Sequence, residues 1–565
     1  MGLPLSNSLT QPPIHHYHGY LDSFLLALGF GITSYFIFKK SETHSPLYLA
    51  ILLVAVPCAL SLSVARHFSC FVYSLSFTFF VYLFTLVACI CLYRLSPWHP
   101  LATYPGPLLC KLSKLWLGYV SQQGRLHIYV WRLHQKYGDI VRIGPNELSI
   151  RSAGSILPLL GPRELPKGPW FDGRYPEDAP ARSLISLRNS HEHSMRRRPW
   201  NQAFSVSALK DYEPLIDART SKLVDALSRQ ESPVNLTQWI FYFAYDMMSD
   251  FIFGGGTEML RDGDVGGLWP MLESAQKTGL LFSHVPWLGQ LLFKTPLLAG
   301  SRRKMIACSM QFARSRKARR PTHKDLFYYL YNEGGTIENA PTEAEAFADS
   351  ISAGADTSAS AIVNLFYLLL TNPATYSRLR AEIDGREDRA LEFSEQARMP
   401  YLNAVINETL RILPPVPSGS PRATTAETGG RMLGTRYIPP NTAVNIHIFS
   451  VHRDPRNFSF PDNFVPERWL SEEERKHLGP KFFKDGSFVH NIAAFHPFSV
   501  GPSSCVGKNF AYLEMRMLVT KVLFNFDLRL AEGFDSRKYK HGIKDFFTMA
   551  LEALPVVFTR RKTYL

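Results

Sequence analysis

Hydrophobic residues are spread unevenly along the chain. Residues 21–38, 47–65 and 71–93 are nearly uninterrupted apolar runs; the second and third hold no charge, and the first holds only Asp22 near its start. A helix rises about 1.5 Å per residue, so each run can cross a hydrocarbon core of about 30 Å. The pattern predicts up to three membrane-spanning helices, with one or two as the alternative. No Lys or Arg precedes the first run, which argues against a cleaved leader peptide. Lys39 and Lys40 follow the first run, Arg66 lies between the second and third, and Arg94 with many others follows the third. Basic residues collect on the cytosolic side of membranes. The distribution therefore predicts a lumenal N-terminus and a cytosolic C-terminal body, with Arg66 alone opposing it.

Beyond the third run the pattern changes. Pro97, Pro100, Pro105 and Pro107 punctuate residues 95–107. Their fixed φ predicts a semi-rigid hinge rather than a helix. From 108 to 565 helical stretches dominate, broken by short strand-like runs such as DIVRIGPNELSI at 139–150. The expectation is a membrane anchor over 1–94, the hinge over 95–107, and one mainly α body with a small β portion over 108–565.

Composition narrows the partners. The chain carries 62 basic and 48 acidic residues, a net charge of +14, and nearly all the surplus follows residue 93. It suits an anionic membrane surface or an acidic protein partner. No Lys/Arg block is interleaved with aromatics, so nucleic acid is not expected. Seven cysteines do not make a disulfide framework, and no pair has zinc-ligand spacing. Cys58, Cys70, Cys89 and Cys91 lie in or beside the apolar runs, leaving Cys110, Cys308 and Cys505 in the body.

Cys505 stands out by its surroundings. It lies in FSVGPSSCVG, with Phe498 and Gly501 before it, Gly507 after it, and a helical run next. The glycines let the backbone turn tightly and approach a flat partner. Backbone N–H groups near the helix start can stabilise a thiolate, and Phe498 can shield the sulfur from water. The segment resembles the cytochrome P-450 signature F-x-x-G-x-R-x-C-x-G, matching at Phe498, Gly501, Cys505 and Gly507. Ser503 stands where the family usually has an Arg, or less often a His, that pairs with a haem propionate. The resemblance implies haem with Cys505 as its axial thiolate, a ligand that favours O–O cleavage.

Other segments carry the same resemblance in the family's order. Glu408 and Arg411, three apart on one helix face in NETLR, and Arg468 in FVPERW match a buried charge network behind the haem, a structural role. Asp356 and Thr357, in AGADTS within a long apolar helix, match the pair that relays protons to bound dioxygen. Small residues at 353–355 would let a flat cofactor and a small ligand approach the backbone. His193 and Arg197, four apart and ahead of Phe204, match propionate-binding positions, as does Arg422 in SPR. The span 100–560 follows family order, most like fungal microsomal members.

The implied function is a haem-thiolate monooxygenase of the endoplasmic reticulum membrane. It would insert one oxygen atom from O2 into a lipophilic substrate, in secondary metabolism or detoxification. Electrons would come from NADPH through NADPH-cytochrome P-450 reductase, with cytochrome b5 as an optional second donor. Two alternatives are a haem-thiolate isomerase or dehydratase, which would not need the proton relay, and a non-catalytic haem-binding membrane protein. The segments expected to line the substrate pocket, near 170–187, 280–291 and 347–355, are mostly apolar.

Overall fold

The computed structural model describes residues 14–40, 45–175, 182–293, 307–308, 310–312, 314–316, 318, 324–331, 353–427, 429–475 and 488–561. Parts of two expected pocket segments, 176–181 and 347–352, lie outside these residues. The chain divides into two compact units, 1–103 with 290–295, and 104–289 with 296–565.

The first unit is helical. Its helices are Ile14–Lys40, a continuous stretch over 46–64 with a π turn at Ile51–Ala55, and Phe71–Leu95. Segments Gly19–Lys40, Leu47–His67 and Phe71–Leu95 have mean hydropathies of 1.6, 2.4 and 2.4 and are long enough to span a membrane. Phe80, Phe84 and Leu92 point outward, an apolar exterior suited to lipid. Polar groups turn inward instead: the Tyr82 hydroxyl pairs with Ser34 Oγ at 2.5 Å and reaches the Leu52 carbonyl at 2.6 Å. At Gly31 a Cβ would come within 3.0 Å of the Tyr82 carbonyl oxygen, so a small residue lets the helices approach. The proline-rich stretch runs through consecutive turns, with His99 N–H donating to Ser96 O and Ala102 N–H to His99 O. The division between units falls within it, after Thr103.

The second unit is mainly helical. Its largest core joins the helices Val206–Ser228, Leu236–Phe253, Asp356–Leu370, Pro400–Ile412 and Lys508–Asn525. Leu236–Phe253 is apolar nearly all round and is buried accordingly; it stops at Gly254, which takes the left-handed conformation that glycine tolerates. Ala353–Leu370 is also long and apolar enough for a span, but 78% of it is buried inside the fold, so it is a core helix. The run at 139–150 forms the strands Ile140–Gly144 and Glu147–Ile150, paired antiparallel. Glu147–Ile150 then pairs parallel with Ala443–Ile446, which pairs antiparallel with Arg422–Ala423. A small hairpin, Lys544–Phe546 with Thr548–Ala550, turns at Phe547.

Candidate active site

The loop around Cys505 is held by its own backbone. Cys505 N–H donates to Phe498 O at 2.9 Å and Ser504 N–H to Gly501 O at 3.0 Å. Gly501 has φ 78°, and a Cβ there would meet the Leu160 carbonyl oxygen at 1.9 Å, so only glycine fits. Gly507 differs from expectation: it caps the next helix at an ordinary φ of −80°. A Cβ on Gly507 would sit 4.0 Å from Cys505 Sγ and 3.7 Å from the Phe204 ring. Its missing side chain thus keeps space open beside the sulfur rather than relieving the backbone. The Phe498 ring packs on Tyr512, with centroids 5.5 Å apart.

The sulfur is accessible yet walled by protein. Cys505 is solvent-exposed, but surrounding atoms are dense enough that burial raises its thiol pKa. The backbone N–H groups of Gly507 and Lys508 and the Arg197 charge pull the other way. The residue is thus reached by solvent although protein is dense around it, and the N–H dipoles are aimed at the sulfur. The helix Lys508–Asn525 packs against Asp356–Leu370, where Glu514 faces Ser358.

Basic side chains gather nearby. His193 is buried, its helix Ser190–Ala203 started by Asn189, whose side chain accepts from the His191 and Glu192 N–H groups at 3.0 Å. Burial, then the Lys167, Arg197 and Arg422 charges, lower the His193 pKa to about 3, so the imidazole is neutral. Arg197 donates to Asn201 Oδ1 at 3.0 Å. Arg422 is buried and lies 3.4 Å from Glu164, while its Nε and Nη1 have no hydrogen-bond partner among the described residues. Ser503 Oγ donates to Glu164 at 2.6 Å. An iron porphyrin fits this chemistry. The sulfur would supply a ligand to the iron, Gly507 leaves room beside it, and the unpaired donors of Arg422 within a basic cluster would suit two propionates.

The Glu408 network is fully buried. Arg411 donates to both Glu408 oxygens, at 2.9 and 2.8 Å, and Arg468 donates at 3.0 Å. Val465 N–H and Trp469 Nε1 complete the carboxylate's partners, each at 3.0 Å. Burial would raise Glu408, but the Arg411 and Arg468 charges override it and hold the carboxyl below its ordinary range. Arg411 also donates to the carbonyls of His452, Pro461 and Asn463. Together these bonds tie the Pro400–Ile412 helix to the segment 452–469.

Asp356 and Thr357 face different partners. The helix is widened into a π turn at 353–355, a distortion frequent at functional sites. Thr357 Oγ1 donates to Ala353 O at 2.6 Å. Asp356 accepts from the Tyr245 hydroxyl at 2.8 Å and from Gln276 Nε2, and Gln276 Oε1 accepts from Thr548. Burial raises the Asp356 pKa to about 7. The carboxyl borders a small, partly open recess that also holds Glu273. Of the small residues expected to admit a ligand, Gly354 instead abuts Met248, whose Sδ would be 2.4 Å from a Cβ, and Ala355 is buried. Ala353 alone is exposed. Glu164, Lys167, Tyr245 and Gln276 carry no motif; they reach the site only through folding, Tyr245 from 111 residues away and Gln276 from 80.

Comparison with known proteins gives a consistent result. The family model described as Cytochrome P450 matches residues 103–551. A cytochrome P450 monooxygenase of Fusarium pseudograminearum is 34% identical over 490 residues, covering 85% of each chain. Cytochrome P450 67 of Uromyces fabae is 32% identical over 546 residues, covering 93% of this chain and 97% of its own. Tryprostatin B 6-hydroxylase of Aspergillus fumigatus is 32% identical over 493 residues, covering 85% and 84%.

Proposed function

This chain belongs to the cytochrome P450 family of haem-thiolate monooxygenases, and from that premise we propose that it inserts one atom of O2 into a lipophilic substrate with electrons from NADPH. A reductase in the endoplasmic reticulum membrane would deliver them, with the catalytic unit in the cytosol and the N-terminal helices as anchor. The relatives' names support a role in fungal secondary metabolism. The observation that carries the reading is the Cys505 turn: an accessible sulfur, with backbone N–H groups aimed at it and space kept open by Gly507.

Bound haem supplies oxygen activation, and a thiolate ligand favours O–O cleavage. The chain's own residues do the rest. Cys505 would hold the iron, with Phe498 and Gly501 fixing the turn that presents it. His193, Arg197 and Arg422 would take the propionates, joined by Lys167. Asp356, with a pKa of about 7, can hold or release a proton near neutral pH. Thr357 would present its hydroxyl oxygen as the final acceptor and donor. Glu408, Arg411 and Arg468 brace the segments behind the cysteine loop. The test is co-expression with a reductase, feeding of hydrophobic compounds, and mass spectrometry for a gain of one oxygen. Product formed without NADPH and reductase would overturn the reading in favour of an isomerase.

A further inference from the structure

Glu164 enters the basic cluster from a short segment that is pinned on both sides. Leu160 and Gly161 lie against Gly501 of the cysteine loop, where a Cβ would meet their carbonyl oxygens at 1.9 and 3.0 Å. Leu165 N–H donates to Leu159 O at 3.0 Å, and Ala423 N–H donates to Pro166 O at 2.9 Å. Lys167 and Arg422 form a backbone bridge. These ties fix the Glu164 backbone, and only 9% of its side chain is exposed.

The carboxylate is held but not saturated. One oxygen accepts the Ser503 hydroxyl at 2.6 Å. The other faces Arg422 Nη2 at 3.4 Å and has no hydrogen-bond partner among the described residues. Arg422 in turn keeps Nε and Nη1 unpartnered there. An acid and a guanidinium thus stand side by side out of water, each with bonding capacity left over.

The position matters because of the charges around it. Lys167, Arg197 and Arg422 act together on His193, which is itself neutral. Glu164 acts on both arginines. Burial lowers the Arg422 pKa and the Glu164 charge opposes that; burial also lowers Arg197, against the charges of Cys505 and Glu164. The side chains suited to anionic propionates therefore already share a buried anion. It is tethered by Ser503, at a position where the family usually has an Arg, so the sign of the charge brought in from that side is reversed. Charges held out of water are weakly screened, and their effect reaches well beyond contact distance.

We propose that Glu164 is a residue that sets the reduction potential of the bound haem, its fixed negative charge making the iron harder to reduce. One electron converts ferric iron to ferrous and adds one negative charge to the centre; a buried carboxylate beside the propionates opposes that addition. The proposal rests on the reading that places haem on Cys505 and its propionates on this cluster. The test is a spectroelectrochemical titration of the purified full-length holoenzyme with dye mediators, in which the electrode supplies the electron. Glu164→Gln keeps the shape and removes the charge. At the wild-type midpoint it shifts the ferrous-to-ferric ratio about tenfold toward ferrous, or about 59 mV for one electron. Glu164→Asp keeps the charge and stays within about twofold of wild type. An unchanged ratio in Glu164→Gln overturns the proposal, as do equal shifts in the Gln and Asp variants, which would mark a structural role. If Glu164→Gln fails to accumulate, Ser503→Arg carries the test: its guanidinium cancels the Glu164 charge and shifts the ratio toward ferrous, and no shift overturns the proposal. The titration needs neither NADPH nor oxygen. A charge response without oxygen-dependent turnover would sink the monooxygenase reading and leave this inference standing; turnover without a charge response would do the reverse.

Discussion

The Ser503 hydroxyl donates to Glu164 at 2.6 Å, and the other oxygen of that carboxylate faces Arg422 at 3.4 Å. Position 503 usually carries an Arg in this family. Here a serine holds an acid that in turn orients an Arg from a separate strand, so the cluster keeps its cation by a different route. Ser503→Arg would set a guanidinium against Glu164, where the two can pair. The expected outcome is an unchanged haem-to-protein ratio. Loss of haem in that variant would mean the cluster depends on the serine itself.

Glu408 sits between two guanidiniums that are, like it, fully buried. Removing one partner of such a network strands charge away from water, at a cost of about 3–5 kcal/mol. Glu408→Ala is expected to lower the denaturation midpoint and the soluble yield sharply, with or without added haem. Wild-type stability in that variant would show that the two arginines find other partners.

Cys505→Ser replaces a thiolate with a hydroxyl that stays protonated. The basic cluster can hold haem without the thiolate, so the discriminating measurement is spectroscopic rather than haem content. The absorption band of the reduced carbon monoxide complex that marks thiolate ligation is expected to vanish. A persistent band would remove Cys505 as the ligand.

These sites differ in how plainly the sequence displayed them. Cys505, Gly501 and the Glu408–Arg411 pair were legible because local spacing sets their geometry: a turn, or three residues along one helix face. The three apolar runs were legible because length and hydropathy suffice. Gly507 and Gly354 were misread in detail, since whether a glycine serves φ, a ligand or a neighbouring helix depends on what packs there. Glu164, Lys167, Tyr245 and Gln276 were not legible as site residues. Their relevance comes from long-range juxtaposition, and each is an ordinary residue type in an unremarkable stretch.

Asp356 predicts a pH dependence of stability. Its pKa is raised from an ordinary 3.8 to about 7, so folding favours the protonated form. The stabilisation is complete below about pH 4 and is lost as pH rises through about 7. Glu514, raised to about 7, and Asp545, raised to about 6, act in the same direction. Asp356→Asn, which stays neutral, is expected to reduce the fall in denaturation midpoint across this range without abolishing it. An unchanged slope would mean that Asp356 is ionised in the fold throughout.

Thr357 offers the sharpest test of the proton route. Its hydroxyl proton is committed to Ala353 O at 2.6 Å, which leaves the oxygen lone pairs to receive a proton from elsewhere. Asp356 shares no hydrogen bond with it among the described residues; its carboxyl is held by Tyr245 and Gln276. A relay therefore requires Asp356 to turn or water to bridge. Thr357→Ala removes the receiving oxygen and is expected to raise the hydrogen peroxide released per NADPH oxidised, while NADPH consumption continues. Thr357→Ser keeps the oxygen and should stay close to wild type. Tyr245→Phe and Gln276→Leu loosen the hold on the carboxyl, so they should alter coupling without changing the thiolate spectrum. If Thr357→Ala couples as well as wild type while Asp356→Asn does not, protons reach the oxygen from the acid by a path that avoids the threonine.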